Sequence, residues 1–264
     1  YILEPDIRTL TKEPEANYSK EIVFGEFHNK TKNYFSGPKS ELPEESGGWC
    51  DYMVELEFFK SMPEGIRKDA WFLTKVTMTG QERPPDPGRY PLLNWDDPAT
   101  NQKHPYWKKN IESSDWVFNY DDGYYETKGI SSASGKTRMI FRYADILLLY
   151  AEAVAYGTKS IDDLAFDCMW RVQERAGVPL ISKDVTKEYF QKAVLDERRW
   201  ETAGMEHSCM GRFFTMQRHE ILHLQKNYRD AAELSLNPNL TLSEEFYYFP
   251  IPDNELLIVP GLKD

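Results

Sequence analysis

Apolar residues in the second half of the chain recur with the period of a helix. Tyr143, Ile146, Leu147, Tyr150, Ala151 and Val154 fall at i, i+3, i+4, i+7, i+8 and i+11, and Gly157 stands where a C-cap belongs. Ser160 offers the next N-cap, and Ile161, Leu164, Ala165, Cys168, Met169 and Val172 repeat the stripe until Gly177 and Pro179 stop it. The connection is short, so the two helices are expected to be antiparallel neighbours. A third helix is predicted from near Asp184 or Thr186 to about Ala203, with Phe190, Val194 and Leu195 inward beside the charged run Asp196-Glu197-Arg198-Arg199.

The first half reads differently. Gly37-Pro38, Gly47-Gly48, Pro84-Pro85 and Pro87-Gly88 punctuate it with turns, so regular structure there should be short. Glu21 to Phe27 and Trp71 to Thr77 are β-branched and aromatic enough to be strands, and Tyr52 to Phe59 suits a short helix. Residues 80–136 form an excursion rich in Pro, Asp, Asn and aromatics, longer than a passive connection. The expected fold is mainly α, a helical core with an irregular loop-rich region and a few short strands. Residues 1–136 are the loop-rich part and 137–264 the helical part with an extended C-terminal tail. In that tail, two prolines keep Tyr247 to Pro252 out of a helix. Phe249 and Ile251 are expected to be largely buried, and Leu256 to Val259 to pack back on the helices.

Composition narrows the partners. At 41% apolar and 14% aromatic, the 264 residues can bury a substantial core. The net charge of -11, with no basic block, argues against nucleic acid or an anionic membrane surface. No run of about 18 apolar residues is present to span a bilayer as a helix. Cys50, Cys168 and Cys209 have neither disulfide-scaffold nor zinc-ligand spacing, and Cys168 lies on a helical apolar stripe as a small hydrophobe. One disulfide among the three is left open by the sequence.

Four segments carry a family resemblance. RYADILLLYAEA, Arg142 to Ala153, resembles a helix of the SusD/RagB family, and MWRVQERAGVP, Met169 to Pro179, its following helix with an Arg-Ala-Gly end. DERRWE, Asp196 to Glu201, is similar to the family's E-R-R-x-E-L segment, and Tyr247 to Asp264 to its closing P-I-P element. RFFTMQR, Arg212 to Arg218, departs from the pattern, with Thr215 where Asp is usual. The resemblance implies a SusD-like fold whose helical-repeat half is contributed by an N-terminal part, so the chain is read as the C-terminal part. It implies a glycan-binding protein without catalytic turnover or cofactor, on the outward face of the outer membrane. There, family members are lipid-anchored and capture oligosaccharide or polysaccharide for a SusC-like TonB-dependent transporter. Arg142, Asp145, Glu152, Glu197 and Arg198 are read as ion pairs between helices rather than catalytic groups.

Two kinds of chemistry remain to be placed. His219-Glu220-Ile221-Leu222-His223 is a formal H-E-x-x-H. On a helix, His219 and His223 would share a face and could hold zinc with Glu220 as general base, the alternative reading being a zinc metallopeptidase. It lacks the metzincin extension, since Lys226 and Arg229 occupy the Gly and final His positions. The second signal is aromatic. Trp49, Trp95, Tyr106, Trp107 and Trp116 sit in Pro/Asp/Asn-rich segments near Asn94, Asp96, Asn101 and Asn110. A sugar offers C–H groups on one face and hydroxyls at its edge, so flat rings beside amides and carboxylates suit it. These five rings are the candidate ligand-binding residues.

Overall fold

Turn formers interrupt every apolar run of the first half, and its elements are correspondingly short. A computed structural model describes residues 1–29, 31, 40–41, 43–44, 48–77, 92–109, 116–119, 124–127, 134–204, 210–236, 251–259 and 261. Two 3-10 turns, Ile7–Thr11 and Glu15–Tyr18, precede β1 (Ile22–Glu26). Then follow α1 (Leu56–Ser61), α2 (Ile66–Trp71), β2 (Phe72–Leu73), β3 (Lys75–Thr77), β4 (Leu92–Asn94) and β5 (Tyr106–Trp107). A hairpin of β6 (Trp116–Asn119) with β7 (Tyr124–Thr127) and the strand β8 (Arg138–Arg142) lead into the long helices α3 (Tyr143–Tyr156), α4 (Asp163–Ala176) and α5 (Lys187–Thr202). The strands form antiparallel pairs: β1 with β8, β2 with β5, β3 with β4 and β6 with β7. The chain forms two compact units, Tyr1–Cys209 and Met210–Asp264. Among the described residues no helix is long and apolar enough to cross a membrane.

The three predicted helices form within a residue or two of their expected ends, with α3 packed on both α4 and α5. Two details differ. The N-cap of α4 is Asp162 rather than Ser160, because the Asp162 carboxylate accepts the Ala165 N–H at 2.8 Å. The buried face of α3 is also turned by one position: Ala144, Leu147, Leu148, Ala151 and Ala155 are buried, whereas Ile146 is 43% exposed. Three alanines on that face allow close helix approach, so the alanines, not the bulkier neighbours, mark the contact. Phe166, Met169, Val172, Phe190 and Val194 complete this core, and Cys168 lies in it as a free thiol. A second core gathers Ile7, Leu10, Val54, Met62, Trp71, Phe72 and Met139 under the short elements.

Between the two cores six charged side chains are buried together. Arg142 Nη1 donates to Glu21 Oε1 at 2.8 Å and to Glu201 Oε1 at 2.9 Å. Arg175 donates to the same two carboxylates, at 2.8 Å to Glu21 and 2.6 Å to Glu201. Arg67 bonds Glu201 at 3.2 Å and makes a shorter contact to Glu197. Three guanidinium groups therefore meet three carboxylates, and residues from the start of β1, from α2, from the β8–α3 junction and from α4 and α5 are held at one point. Arg198 of α5 pairs with Glu152 of α3, as expected of scaffold residues, and Asp145 accepts the Arg142 N–H at 2.9 Å, a capping contact within the first turn of α3. Burial opposes ionisation of Glu201, but Arg175, Arg142, Arg67 and Lys109 overcome it and hold the carboxyl at about 2.

The Arg-Ala-Gly element of α4 has a direct packing role. Arg175 enters the charged group, Ala176 is fully buried, and Gly177 adopts φ +69 as the left-handed residue that ends the helix. The Gly177 N–H donates to Glu174 O at 3.0 Å and the Val178 N–H to Gln173 O at 3.1 Å, closing the carbonyls of the last turn. A Cβ on Gly65 would lie 2.7 Å from Ala176 O, so the start of α2 touches the end of α4 backbone to backbone.

The second unit contains α6 (Met210–Arg218), a 3-10 turn (Leu222–Tyr228), α7 (Ala231–Leu236) and α8 (Asp253–Ile258), with Thr215, Met216, Leu222 and Glu233 buried. Phe249 lies outside the described residues. Ile251 is 40% exposed rather than buried, and Leu257 and Ile258 are exposed on α8 rather than packed back on helices. Pro252 precedes a helical turn with Asp253 and Glu255 near its N-terminus, where proline and acids are both favoured. The helical turn distributes the apolar side chains around an axis instead of laying them along one ribbon.

Breaking the buried group should be costly. Glu201→Ala leaves Arg142 and Arg175 each short of a partner and should lower stability by about 3–5 kcal/mol, read by urea unfolding. Because the folded-state value of Glu201 lies near 2 against an ordinary 4.5, its contribution is fully present above about pH 4.5. It is lost as pH falls through 2, and wild-type stability should drop across that window more steeply than that of Glu201→Gln.

Candidate functional site

Of the five aromatic residues expected to touch ligand, the structure brings Trp95, Tyr106 and Trp107 into one region. β5 pairs with β2, placing Trp107 opposite Phe72 and Tyr106 opposite Leu73, while Met53 bridges Tyr106 from the other side. Successive residues of a strand face opposite ways. Tyr106 is fully buried and offers no face to a ligand, a correction to its reading as a binding residue. A strand flanked on both edges leaves that ring inside the core. Trp107 is half-buried and packs on Phe72 at 5.4 Å and Phe58 at 6.0 Å between centroids. Trp49 is 52% exposed, on the segment leading to Met53. The side chain of Trp116, in β6, lies outside the described residues.

Trp95 is held from three directions. Its N–H donates to Thr74 O at 2.9 Å, its ring meets Phe59 edge-on at 5.7 Å, and its carbonyl accepts from Thr100 Oγ1 at 2.8 Å. The following loop is closed by the Lys103 ammonium, which donates to Asp97 O at 2.6 Å, to Pro98 O at 2.7 Å and to Thr100 O. One cation thus satisfies three carbonyls that a bare loop would leave to water. Beyond β5, Lys109 is buried with its ammonium 3.7 Å from the centroid of the Trp71 ring and bonded to Ala203 O, which ties the strand to the end of α5.

Beside Trp95 a cleft of about 380 Å³ opens between α1, α2 and β2–β3. The half-buried Phe59 supplies its accessible ring, backed by the buried Phe72, and Glu64, Asp69, Lys75 and Lys108 its polar groups. Lys68 lies 4.5 Å above the Phe59 ring and donates to Glu64 Oε1 at 2.6 Å and Met62 O at 3.1 Å, so its charge is already spent within the wall. Lys108 Nζ donates to Asp69 O at 3.0 Å. Flat rings bordered by carboxylates and ammonium groups of both signs suit a neutral, hydroxyl-rich ring that stacks one face and hydrogen-bonds at its edge. Trp95 and Trp107 stand behind this cleft, against Phe59 and Phe72, without lining it, and sequence reasoning did not name Phe59, Phe72, Asp69 or Lys108, which do line it. Phe58 and Phe59 both reach the second core and both meet Phe72, at 6.0 and 5.2 Å between centroids, so the sequence carried no signal that the Phe59 ring also borders the cleft.

The H-E-x-x-H segment does not form a metal-binding helix face. α6 ends at Arg218, Glu220 adopts φ +57, and the next residues form the 3-10 turn Leu222–Tyr228. The Ile221 N–H donates to Met216 O at 2.9 Å and the Glu220 N–H to Gln217 O at 3.0 Å, a left-handed helix end with Glu220 where glycine is usual. The chain turns between the two histidines, so their i, i+4 spacing no longer places them one above the other. Among the described residues no group of three His, Cys, Asp or Glu is placed to hold a metal ion.

The model of the SusD family matches residues 20–264. Comparison with the curated proteins finds no match. Among solved structures the chain resembles a SusD superfamily protein from Parabacteroides distasonis, with TM-score 0.69 and 20% identity over 99% of this chain and 52% of that one. It also resembles a SusD-like carbohydrate binding protein from Bacteroides fragilis, with TM-score 0.69 and 16% identity over 98% of this chain and 57% of that one. A third is surface glycan-binding protein A from Bacteroides thetaiotaomicron in complex with laminarihexaose, with TM-score 0.61 and 17% identity over 99% of this chain and 55% of that one. The chain thus spans about half the length of these structures, and at such identities the likeness is one of fold.

The placements divide the aromatic residues by consequence. Tyr106→Ala should cost about 3–5 kcal/mol, as large-to-small core changes do, whereas Trp49→Ala should stay within about 0.5 kcal/mol of wild type in urea unfolding.

Proposed function

The chain belongs to the SusD family, and from that membership together with the aromatic cleft we propose that it is a glycan-binding protein of the cell surface. It captures an oligosaccharide or polysaccharide without chemical turnover and passes it to a SusC-like TonB-dependent transporter at the outer membrane. The observation that carries this reading is the cleft itself: the ring of Phe59, backed by Phe72 and Trp95, with polar groups of both signs around it. Such a surface stacks a sugar and supplies hydrogen-bond partners, but presents no activated nucleophile. The complex of the B. thetaiotaomicron protein with laminarihexaose supports the ligand class. Trp49, Trp107 and Trp116 complete the proposed binding set, Trp49 as the exposed ring and Trp107 through its support of Phe72.

Binding without folding loss is the test. Titration with a panel of neutral oligosaccharides, laminarihexaose among them, should show measurable affinity. Trp95→Ala, which removes the ring that braces Phe59 at the cleft, should weaken it about tenfold, with an unchanged circular dichroism spectrum. A protein that co-purifies with its transporter yet binds no glycan on an array would instead be a module for assembly alone. Unchanged affinity in both Trp95→Ala and Phe59→Ala would remove the cleft from the binding site.

A further inference from the structure

A second enclosed surface lies on the same unit, a groove of about 490 Å³ that shares no lining residue with the cleft. One wall is a single face of α5: Tyr189, Lys192, Ala193, Asp196, Glu197 and Trp200 recur at i, i+3, i+4, i+7, i+8 and i+11. The facing wall is the loop released by Gly177, from Val178 to Ser182. That loop is fixed in place, because Trp170 Nε1 donates to Ile181 O at 2.7 Å and the Ile181 N–H donates to Gln173 Oε1 at 2.9 Å. The groove is therefore formed before any ligand arrives, and its volume falls in the range of small-molecule sites.

Its dimensions and charge define what it can take. From Tyr189 to Trp200 the helix rises about 16 Å, at about 1.5 Å per residue, so the two rings stand at opposite ends of one face with room for several linked rings. Asp196 is paired with Lys192 at 2.6 Å, and Glu197 is neutralised by Arg67 at the base. Net charge is thereby balanced, which favours an uncharged ligand. Tyr189 is 59% exposed, and its hydroxyl bonds no described residue. A ring face and a free hydroxyl at one end, an indole at the other and a Lys–Asp pair between them are suited to hydroxyls spaced along a chain.

We propose that this groove is a second saccharide site, taking a short neutral oligosaccharide independently of the cleft. The assignment rests on the reading of the protein as a glycan binder. Two sites on one unit hold a polymer at two points, so that capture is tighter than either site alone would give.

Isothermal titration of the full chain with laminarihexaose, and with maltohexaose and cellohexaose as probes of other linkages, distinguishes the outcomes. The expected result is about two equivalents bound by the wild type. Tyr189→Ala should remove one, or weaken it about tenfold or more, while Trp95→Ala acts on the other. Ser182→Trp, which places an indole over the groove from its exposed loop, should give the same result as Tyr189→Ala. A single equivalent lost in Trp95→Ala but unaffected by Tyr189→Ala and Ser182→Trp would overturn the second site and leave glycan capture intact. No binding of any probe by the wild type would overturn both readings.

Discussion

Arg67, Arg142 and Arg175 leave water only because Glu21, Glu197 and Glu201 leave it with them. A lone buried guanidinium or carboxylate costs several kcal/mol, and mutual attraction offsets that cost only when the geometry is good and the remaining donors are satisfied. Here one Glu201 carboxylate faces three arginines, from α2, the β8–α3 junction and α4. Such a group adds little net stability over an apolar core of the same volume. It ties the start of β1, α2, the β8–α3 junction, α4 and α5 together at one buried point. Glu21 brings the start of β1 into that arrangement, although 154 residues separate it from Arg175.

The two proposed ligand surfaces are built on segments leaving this point. α2 carries Arg67 inward and ends at Trp71, from which Phe72 and Leu73 run directly into the wall of the cleft. α4 carries Arg175 inward and ends at Gly177, after which Val178 to Ser182 form one side of the groove along α5. Sites placed on such anchored elements hold their rings in position before ligand arrives, which reduces the ordering cost of binding. The loop from Trp95 to Lys103 achieves the same locally, with one ammonium group bonded to three carbonyls.

The long helices were legible because apolar spacing of 3.6 survives whatever packs against it, and the charged residues of Arg142 to Ala153 and Asp196 to Glu201 could be recognised as scaffold. What the pattern could not supply was context. Tyr106 reads as a loop aromatic until two flanking segments bury it, and no local feature of its neighbourhood announces them. Glu220 reads as part of a helical metal motif because a left-handed conformation at a non-glycine residue leaves no mark in sequence. The exposed apolar residues of α8 were misjudged because Pro252 can start a helix as well as hold a strand open. The cleft was not legible: the tryptophans stood out by rarity but do not line it, while the exposure of Phe59 depends on how a six-residue helix is turned.

Glycan capture in the proposed cleft requires that a sugar sit on rings held in place by the buried charge network. A crystal structure with the tightest-binding oligosaccharide from such a panel tests it most directly. The expected result is a sugar ring stacked within van der Waals distance of Phe59 or Trp95, with its hydroxyls bonded to Asp69, Glu64, Lys75 or Lys108. A sugar bound away from both the cleft and the groove along α5, with Trp95 free of contact, would contradict it.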